Sequence, residues 1–163
     1  MNRTHSKTTQ NKGYFGTATI WFSLAALAWI GIGLLYLQPS EAAEILVYKN
    51  PTCGCCNAWI RHLEEKGYQV KAQNRPDLLR LKGKLGIPRN LRSCHTARVE
   101  GYLIEGHVPA EDIDRLLAEK PEILGLAVPG MPMGSPGMEG PRKDAYSVIA
   151  FDKDGRQQVY ASH

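Results

Sequence analysis

Three of the four cysteines lie in one short stretch, Pro51–Cys56, which reads PTCGCC, and the fourth is Cys94, far along the chain. Thiols at such positions can crosslink a chain, exchange disulfides or bind soft metal ions. Cys53 and Cys56 have the spacing of a redox CxxC pair. Cys55 is an additional thiol beside that pair, and it is the residue that any interpretation of the motif has to explain.

Structural disulfides are the least favoured of three interpretations. Cys55 and Cys56 are neighbours in sequence, and a bridge inside PTCGCC closes too short a loop to constrain much of the chain. A bridge to Cys94 is the one useful crosslink. A thiol-disulfide oxidoreductase is the second interpretation, and it uses Cys53 with Cys56. Cys55 argues against this interpretation, because a third thiol could exchange with the Cys53–Cys56 disulfide and form a different bond.

A metal site made of Cys53, Cys55, Cys56 and Cys94 is the interpretation that we favour. Thiolates select soft ions, above all Cu(I). Zinc also accepts four cysteines, but its usual pattern is two separated CxxC pairs. Crowded thiolates can each bridge two metal ions, so more than one copper ion can be held. Copper, in the form of Cu(I), is therefore the predicted cofactor.

Five further residues are weaker candidate ligands. Apart from Met1, all methionines lie in the segment GMPMGSPGM, among glycines and prolines rather than within a periodic element. They would form a soft-ligand flap over the cysteines, although loop packing explains them equally well. Two histidines lie beside or near the cysteine segments, and a lone histidine is more often structural. The weaker candidates are His95, His107, Met131, Met133 and Met138.

These residues are positioned by an alternation of predicted strands and helices, followed by a hairpin. The predicted strands are 44–48, 68–72, 96–99 and 102–108, and the predicted helices begin near Pro51, Pro76 and Pro109. A Gly- and Pro-rich surface loop is predicted at 127–143. The two strands of the predicted hairpin cover 146–151 and 157–160. This order predicts an α/β fold, a thioredoxin-like domain with an extra C-terminal β-hairpin. The cysteine motif then lies where the first strand meets the first helix.

A helix that begins at PTCGCC brings its free amide groups and partial positive charge to the thiols, which lowers their pKa. Cys56 continues the apolar stripe of this helix and is predicted to be the most buried, with Cys53 at the exposed tip. In a thioredoxin-like topology the loop before the third strand faces this helix start. That loop carries Cys94 here and has no proline, so the fourth thiol is predicted to meet the other three.

The first 40 residues differ in character from the rest of the chain. Residues 1–13 are polar and basic, and residues 14–40 contain no charged side chain. A spanning helix needs about 20 apolar residues, so a transmembrane anchor is favoured over a cleaved signal helix. Basic residues stay in the cytoplasm, which places the domain at 44–163 in the periplasm, anchored in the inner membrane.

The charge of the chain carries little information about its partners. Beyond residue 40, 17 basic residues face 16 acidic ones, so the excess positive charge belongs to the membrane flank. Nucleic-acid binding is excluded on this ground. No nucleophile–base pair or paired carboxylate indicates hydrolase or transferase chemistry, so any enzymatic activity would be copper or thiol redox chemistry.

Three motifs resemble those of one family: PTCGCCNAWIRHLEEKG, LRSCHTARVEGYLIEGHVPAEDI and GLAVPGMPMGSPGMEG. It is a domain-of-unknown-function family of exported metal-binding proteins that includes the copper-resistance protein CopG. The resemblance covers residues 44–163. It implies a thioredoxin-like fold, copper binding by Cys53, Cys55, Cys56 and Cys94, and a role in periplasmic copper homeostasis together with other periplasmic copper-handling proteins.

Overall fold

The computed structural model of the protein describes residues 43–163. The predicted basic segment 1–13 and the predicted anchor or signal segment 14–40 lie outside the described residues. No helix within 43–163 is both long enough and apolar enough to cross a membrane.

Seven strands and three α-helices make up the described part of the chain. They are β1 (Glu44–Lys49), α1 (Gly54–Glu65), β2 (Gln69–Asn74), α2 (Leu78–Lys84), β3 (His95–Val99), β4 (Tyr102–Gly106), α3 (Ala110–Glu119), β5 (Gly125–Val128), β6 (Ser147–Phe151) and β7 (Gln157–Ser162), with a 3-10 turn at Arg89–Leu91. The chain is therefore a mixed α/β domain, as predicted.

All seven strands form one sheet in the order β2-β1-β3-β4-β5-β6-β7. β1 runs parallel to β2 and antiparallel to β3, and β4 runs antiparallel to β3 and parallel to β5. The last three strands continue the sheet, because β5 pairs with β6 and β6 pairs with β7, both antiparallel. The predicted C-terminal hairpin is present, and the structure shows how it joins the domain.

β5 was missed by the sequence analysis, which assigned Ala127 and Val128 to the Gly- and Pro-rich loop. Its four residues are all buried between β4 and β6. A strand this short forms because two neighbours hydrogen-bond to it, and local sequence carries little signal for such pairing. The loop between β5 and β6 covers residues 129–146, and we call it the Met loop. The other predicted strand ends differ from the structure by one or two residues.

The core lies between the sheet and its helices. Ile45 and Val47 of β1 point to the same face because side chains alternate along a strand, and both are fully buried. Trp59 and Leu63, four residues apart on α1, pack into the same cluster. The indole N–H of Trp59 donates to the carbonyl of Val108 at 2.8 Å, which satisfies its buried polar atom. α1 is thereby fixed against the segment that follows β4.

Candidate metal centre

The four cysteine sulfurs meet at the N-terminus of α1. Cys53 is the capping residue of this helix, and its Sγ accepts the backbone N–H of Cys56 at 3.3 Å. Cys55 Sγ lies 3.6 Å from that of Cys53 and 3.8 Å from that of Cys94, which reaches across from the segment before β3. All four sulfurs lie within 4.8 Å of one another. As predicted, Cys56 is the most buried and Cys94 faces the motif.

Cys53 and Cys56 are joined by a disulfide, with their Cα atoms 5.4 Å apart. Cys55 and Cys94 are free thiols. A disulfide sulfur has no thiolate charge to offer a metal ion, so all four cysteines can act as ligands only after this bond is reduced. The structure therefore shows the oxidised form of the motif, in which two of the four thiols are available.

His107 faces the free thiol of Cys94. Its Nε2 lies 3.1 Å from Cys94 Sγ, and its Nδ1 lies 2.8 Å from the carbonyl oxygen of Pro136 in the Met loop. A carbonyl oxygen only accepts, so Nδ1 carries the proton and Nε2 presents its lone pair to the sulfur. Histidines that bind metals are usually oriented in this way by a partner on the other ring nitrogen.

His95 lies on the other side of Cys94 and is fully buried. Its Nδ1 is 3.3 Å from Cys94 Sγ. Its ring centroid is 4.3 Å from that of Trp59 and 5.0 Å from that of His107. Its Nε2 has no hydrogen-bond partner among the described residues. Cys94, His95 and His107 therefore form a second group whose ligand atoms all lie within 4.8 Å of one another.

Burial favours the neutral forms of Cys94, His95 and His107. Burial and, to a lesser extent, the neighbouring Cys55 together raise the pKa of the Cys94 thiol to about 12. The same burial lowers the pKa of both His95 and His107. Cys94 lies off this helix, so the lowered pKa predicted for the thiols at the helix N-terminus does not concern it and stays a prediction. Cys94 is an S–H donor to Nε2 of His107, and a bound metal ion would take the place of this proton.

A buried ion pair fixes the backbone on both sides of Cys94. Lys82 of α2 contacts Glu105 of β4, and neither side chain is more than 1% exposed. Glu105 also accepts the backbone N–H of Ser93 and the hydroxyl of Thr96, each at 2.6 Å. Sequence analysis missed this network, because a lysine in a short helix and a glutamate in a strand give no sign that they meet.

The Met loop covers the start of α1. At Gly137, where φ is +81°, an added Cβ would lie 2.6 Å from the backbone nitrogen of Trp59 and 2.9 Å from the carbonyl oxygen of Cys55. Met133 directs its sulfur towards Gly140 of the same loop, where an added Cβ would lie 2.6 Å from Sδ. Met131 is 41% exposed. The loop thus packs on the start of α1, and its role as a soft-ligand flap over the cysteines stays a prediction.

The cysteine site opens to solvent through a groove of about 620 Å³. The residues that line this groove include Cys53, Cys94 and Leu79, which is 71% exposed. The groove therefore offers a route from solvent to Cys53 and Cys94.

Known proteins resemble this chain closely. The profile of a family described as a protein of unknown function, DUF411, matches residues 91–138. Two solved structures, form 2 and form 1 of a copper resistance protein CopG, are each 45% identical to the chain. The alignment with form 2 covers 76% of this chain and 99% of the chain in that structure, with a TM-score of 0.72. The alignment with form 1 covers 76% of this chain and 98% of the chain in that structure, with a TM-score of 0.71. No curated protein matches. The chain belongs to the DUF411 family that includes the copper resistance protein CopG.

Proposed function

We propose that the protein binds copper and holds Cu(I) between the thiolates of Cys53, Cys55, Cys56 and Cys94. The observation that carries this proposal is the meeting of four sulfurs within 4.8 Å, one of them from a distant segment. Soft thiolates with no carboxylate among them favour Cu(I) over harder ions. The two similar structures are named for copper resistance, which supports a role for this protein in copper resistance and homeostasis.

The proposal extends to the fold and the location of the domain. The order β2-β1-β3-β4, with β3 antiparallel to its neighbours and a cysteine motif after β1, supports a thioredoxin-like core extended by β5, β6 and β7. The apolar segment 14–40 supports a periplasmic domain anchored in the inner membrane. Sequencing the N-terminus of the mature protein tests this: an intact start fits the anchor, and a start near Ala43 would show a cleaved signal.

Copper binding is tested with reduced protein under anaerobic conditions. The four thiols are counted, Cu(I) is added, and retention is measured against a moderate Cu(I) chelator. We expect retained copper with all four thiols protected from alkylation, and more than one ion per chain if sulfurs bridge. Replacing each cysteine singly by serine should lower retention in every case. Loss of all copper to the chelator by the reduced wild-type protein would exclude the proposal.

A thiol-disulfide oxidoreductase is the second candidate, and the bonded pair Cys53–Cys56 is the observation in its favour. It leaves Cys55 and Cys94 without a role, although their sulfurs lie 3.8 Å apart beside the pair. Reduction of insulin disulfides separates the two functions. An oxidoreductase would need Cys53 and Cys56 and would tolerate Cys55→Ser, whereas copper retention needs all four cysteines.

A further inference from the structure

The disulfide between Cys53 and Cys56 presents only one of its two cysteines to the surface. Cys56 is fully buried, whereas Cys53 is half-buried and lines the groove of about 620 Å³. A disulfide opens when a thiolate attacks one of its sulfurs, and the rate depends on access to that sulfur. An external thiol therefore reaches this bond at Cys53 Sγ, and the groove is an open approach to it. The other residues of the groove then decide which thiols are favoured.

Three apolar residues are among those that line the groove. They are Pro76, Leu78 and Leu79, at and just before the start of α2. Leu79 is 71% exposed, and a polypeptide segment that fills the groove contacts its side chain. Such a contact is favourable because it removes apolar surface from water. The groove therefore favours a partner with an apolar side chain close to its attacking thiol.

Three charged side chains also line the groove, and together they are positive. Asp77 accepts from Arg75 Nε at 2.9 Å and from Arg80 Nη2 at 3.3 Å, so one carboxylate faces two guanidinium groups. One positive charge is therefore left in excess. The side chain of Arg80 is 71% exposed and can turn towards a bound partner. Because complementary charge speeds association and disfavours wrong partners, the groove favours a segment with negative charge.

These features indicate a polypeptide rather than a small thiol as the favoured partner. A small thiol needs only access to Cys53 Sγ. A segment that continues past its own cysteine also contacts the apolar residues and the two arginines, because all of them line the same groove. The groove therefore selects an acidic segment with an apolar residue beside its cysteine.

We propose that this groove docks an acidic segment of a dithiol protein, and that this partner reduces the Cys53–Cys56 disulfide. One thiolate of the partner attacks Cys53 Sγ. A bond forms between these two sulfurs, and the Cys53–Cys56 bond breaks with its electron pair on Cys56 Sγ, which takes a proton from solvent. The second thiolate of the partner then attacks the partner's first sulfur, and Cys53 leaves as a thiolate.

The balance of this exchange is two electrons, which pass from the partner to this protein. The partner leaves with a disulfide of its own, and Cys53 and Cys56 join Cys55 and Cys94 as free thiols. The inference rests on the proposed function, because the exchange prepares the four thiols that copper binding needs. It adds the class of reaction that precedes copper binding and the surface on which that reaction takes place.

The test follows the reduction of the oxidised full chain by two synthetic peptides. Both peptides contain the sequence Leu-Cys-Gly-Pro-Cys, and one is flanked by aspartates and the other by lysines. Alkylation at successive times counts the free thiols of the protein, which rise from two to four as the disulfide opens. The readout is the ratio of the two rates, aspartate peptide over lysine peptide. Its change between variants does not depend on how reactive each peptide is by itself.

Arg80→Glu turns the excess charge of the groove from positive to negative. It should lower the ratio at least about threefold at low salt, and less at high salt, because interactions between exposed charges are weak and screened. Lys153→Glu is the matched control, since it makes the same charge change in the turn between β6 and β7, outside the groove. It should leave the ratio unchanged.

Leu79→Ser should slow both peptides at least about threefold, because less apolar surface is covered on docking. Val159→Ser, at another exposed apolar position, should slow neither peptide. Dithiothreitol, a small uncharged dithiol, should reduce the wild-type protein and every variant at rates within about twofold of one another, since it makes few contacts beyond Cys53.

The inference is wrong if Arg80→Glu leaves the ratio unchanged, if dithiothreitol depends on Leu79 as strongly as the peptides do, or if the oxidised protein already has four free thiols. Cu(I) retention after reduction with dithiothreitol, which is then removed, tests the proposed function separately. Retention without peptide selectivity would leave the four-cysteine site standing and overturn only the docking groove. Peptide selectivity without retention would support the groove and overturn copper binding.

Discussion

Cys55 contacts two sulfurs with different roles. It lies 3.6 Å from Cys53, which is bonded to Cys56, and 3.8 Å from the free thiol of Cys94. At this position a thiol joins the CxxC pair to the distant cysteine. In a thiol-disulfide oxidoreductase the same thiol would compete to form a disulfide with Cys53 or Cys56. Replacing Cys55 therefore separates metal binding from disulfide chemistry more cleanly than replacing any other cysteine.

We expect Cys55→Ser to weaken Cu(I) retention by at least about tenfold, since even outer-shell changes cost 10–100-fold in metal affinity. The Cys53–Cys56 disulfide should still close, because neither of its sulfurs depends on Cys55. Chelator competition measures the first effect, and alkylation of oxidised protein measures the second, with one free thiol expected instead of two. Unchanged copper retention in this variant would contradict the four-cysteine site.

The cysteine part of the site could be predicted from sequence, but the histidine part could not be given its proper weight. The spacing in PTCGCC and the position of Cys94 before a strand were enough to bring four sulfurs together. His95 and His107 could only be weak candidates. Whether a histidine is a satisfied core residue or a ligand depends on its partners in space, and no local pattern records the carbonyl of Pro136 or the unpaired Nε2 of His95.

At the scale of elements, the Met loop and α1 form one unit because Gly137 lets their backbones meet. Gly137→Ala adds a Cβ within 3 Å of Trp59 and Cys55 backbone atoms. Gly130→Ala is the matched control, since Gly130 has a similar positive φ of +77° with no atom within 4 Å of an added Cβ. We expect Gly137→Ala to be less stable than Gly130→Ala by about 1–3 kcal/mol, the usual cost of overpacking.

Urea unfolding of the two glycine variants measures this difference. Retention of Cu(I) by the reduced protein gives a second readout, because a displaced loop releases the Pro136 carbonyl from His107, whose Nε2 lies 3.1 Å from Cys94 Sγ. Gly137→Ala should lower that retention and Gly130→Ala should not. Equal stability of the two variants would mean that the loop does not pack on α1 as described.

The buried Lys82–Glu105 pair links α2 to the strand that precedes His107. Lys82→Met leaves Glu105 buried without its partner and should destabilise the fold by about 3–5 kcal/mol. Lys82→Met with Glu105→Leu should recover much of that loss, because an apolar pair can replace a buried ion pair. Lys84→Met, at an exposed position of the same helix, is the control and should change stability little.

Copper retention separates the positioning role of this pair from its effect on stability. In the double variant Ser93 and Thr96 lose their shared acceptor, so Cys94 between them is held less firmly. We expect Cu(I) retention to fall in the double variant although its stability is restored. If retention follows stability alone, the network is a part of the core with no separate effect on the site.

Most elements could be predicted because their signals are local. Proline and glycine mark the ends of the helices, apolar runs mark β1 and β4, and β-branched residues mark β3. β5 could not be predicted, because its four residues GLAV become a strand only between two partners. The pairing of β5 also decides how the C-terminal hairpin joins the sheet. Sequence alone therefore indicated the hairpin but not its place at the edge of the sheet.

At the scale of the whole molecule, the C-terminal strands are part of the folded core. Phe151 of β6 is 1% exposed and packs with Leu103 of β4 and Ala127 of β5. We expect Phe151→Ala to lower the free energy of unfolding by about 3–5 kcal/mol. Val159→Ala on β7 is the control, since Val159 is 62% exposed and its loss should change stability by about 0.5 kcal/mol or less.

Thermal unfolding followed by circular dichroism measures both variants. The wild-type domain should unfold in one transition, as expected for a single sheet of this size. A Phe151→Ala protein as stable as Val159→Ala would show that the hairpin docks only loosely on β5.

The contact between Trp59 and His95 would provide an optical reporter of copper bound at the proposed site. Their ring centroids are 4.3 Å apart, and Nδ1 of His95 lies 3.3 Å from Cys94 Sγ, so copper bound at Cys94 would lie close enough to the indole to quench its emission. The other two tryptophans, Trp21 and Trp29, fall in the apolar segment 14–40. With both replaced by phenylalanine, the remaining tryptophan fluorescence comes from Trp59 alone. Filling of the site could then be followed by fluorescence titration, without any label attached to the chain.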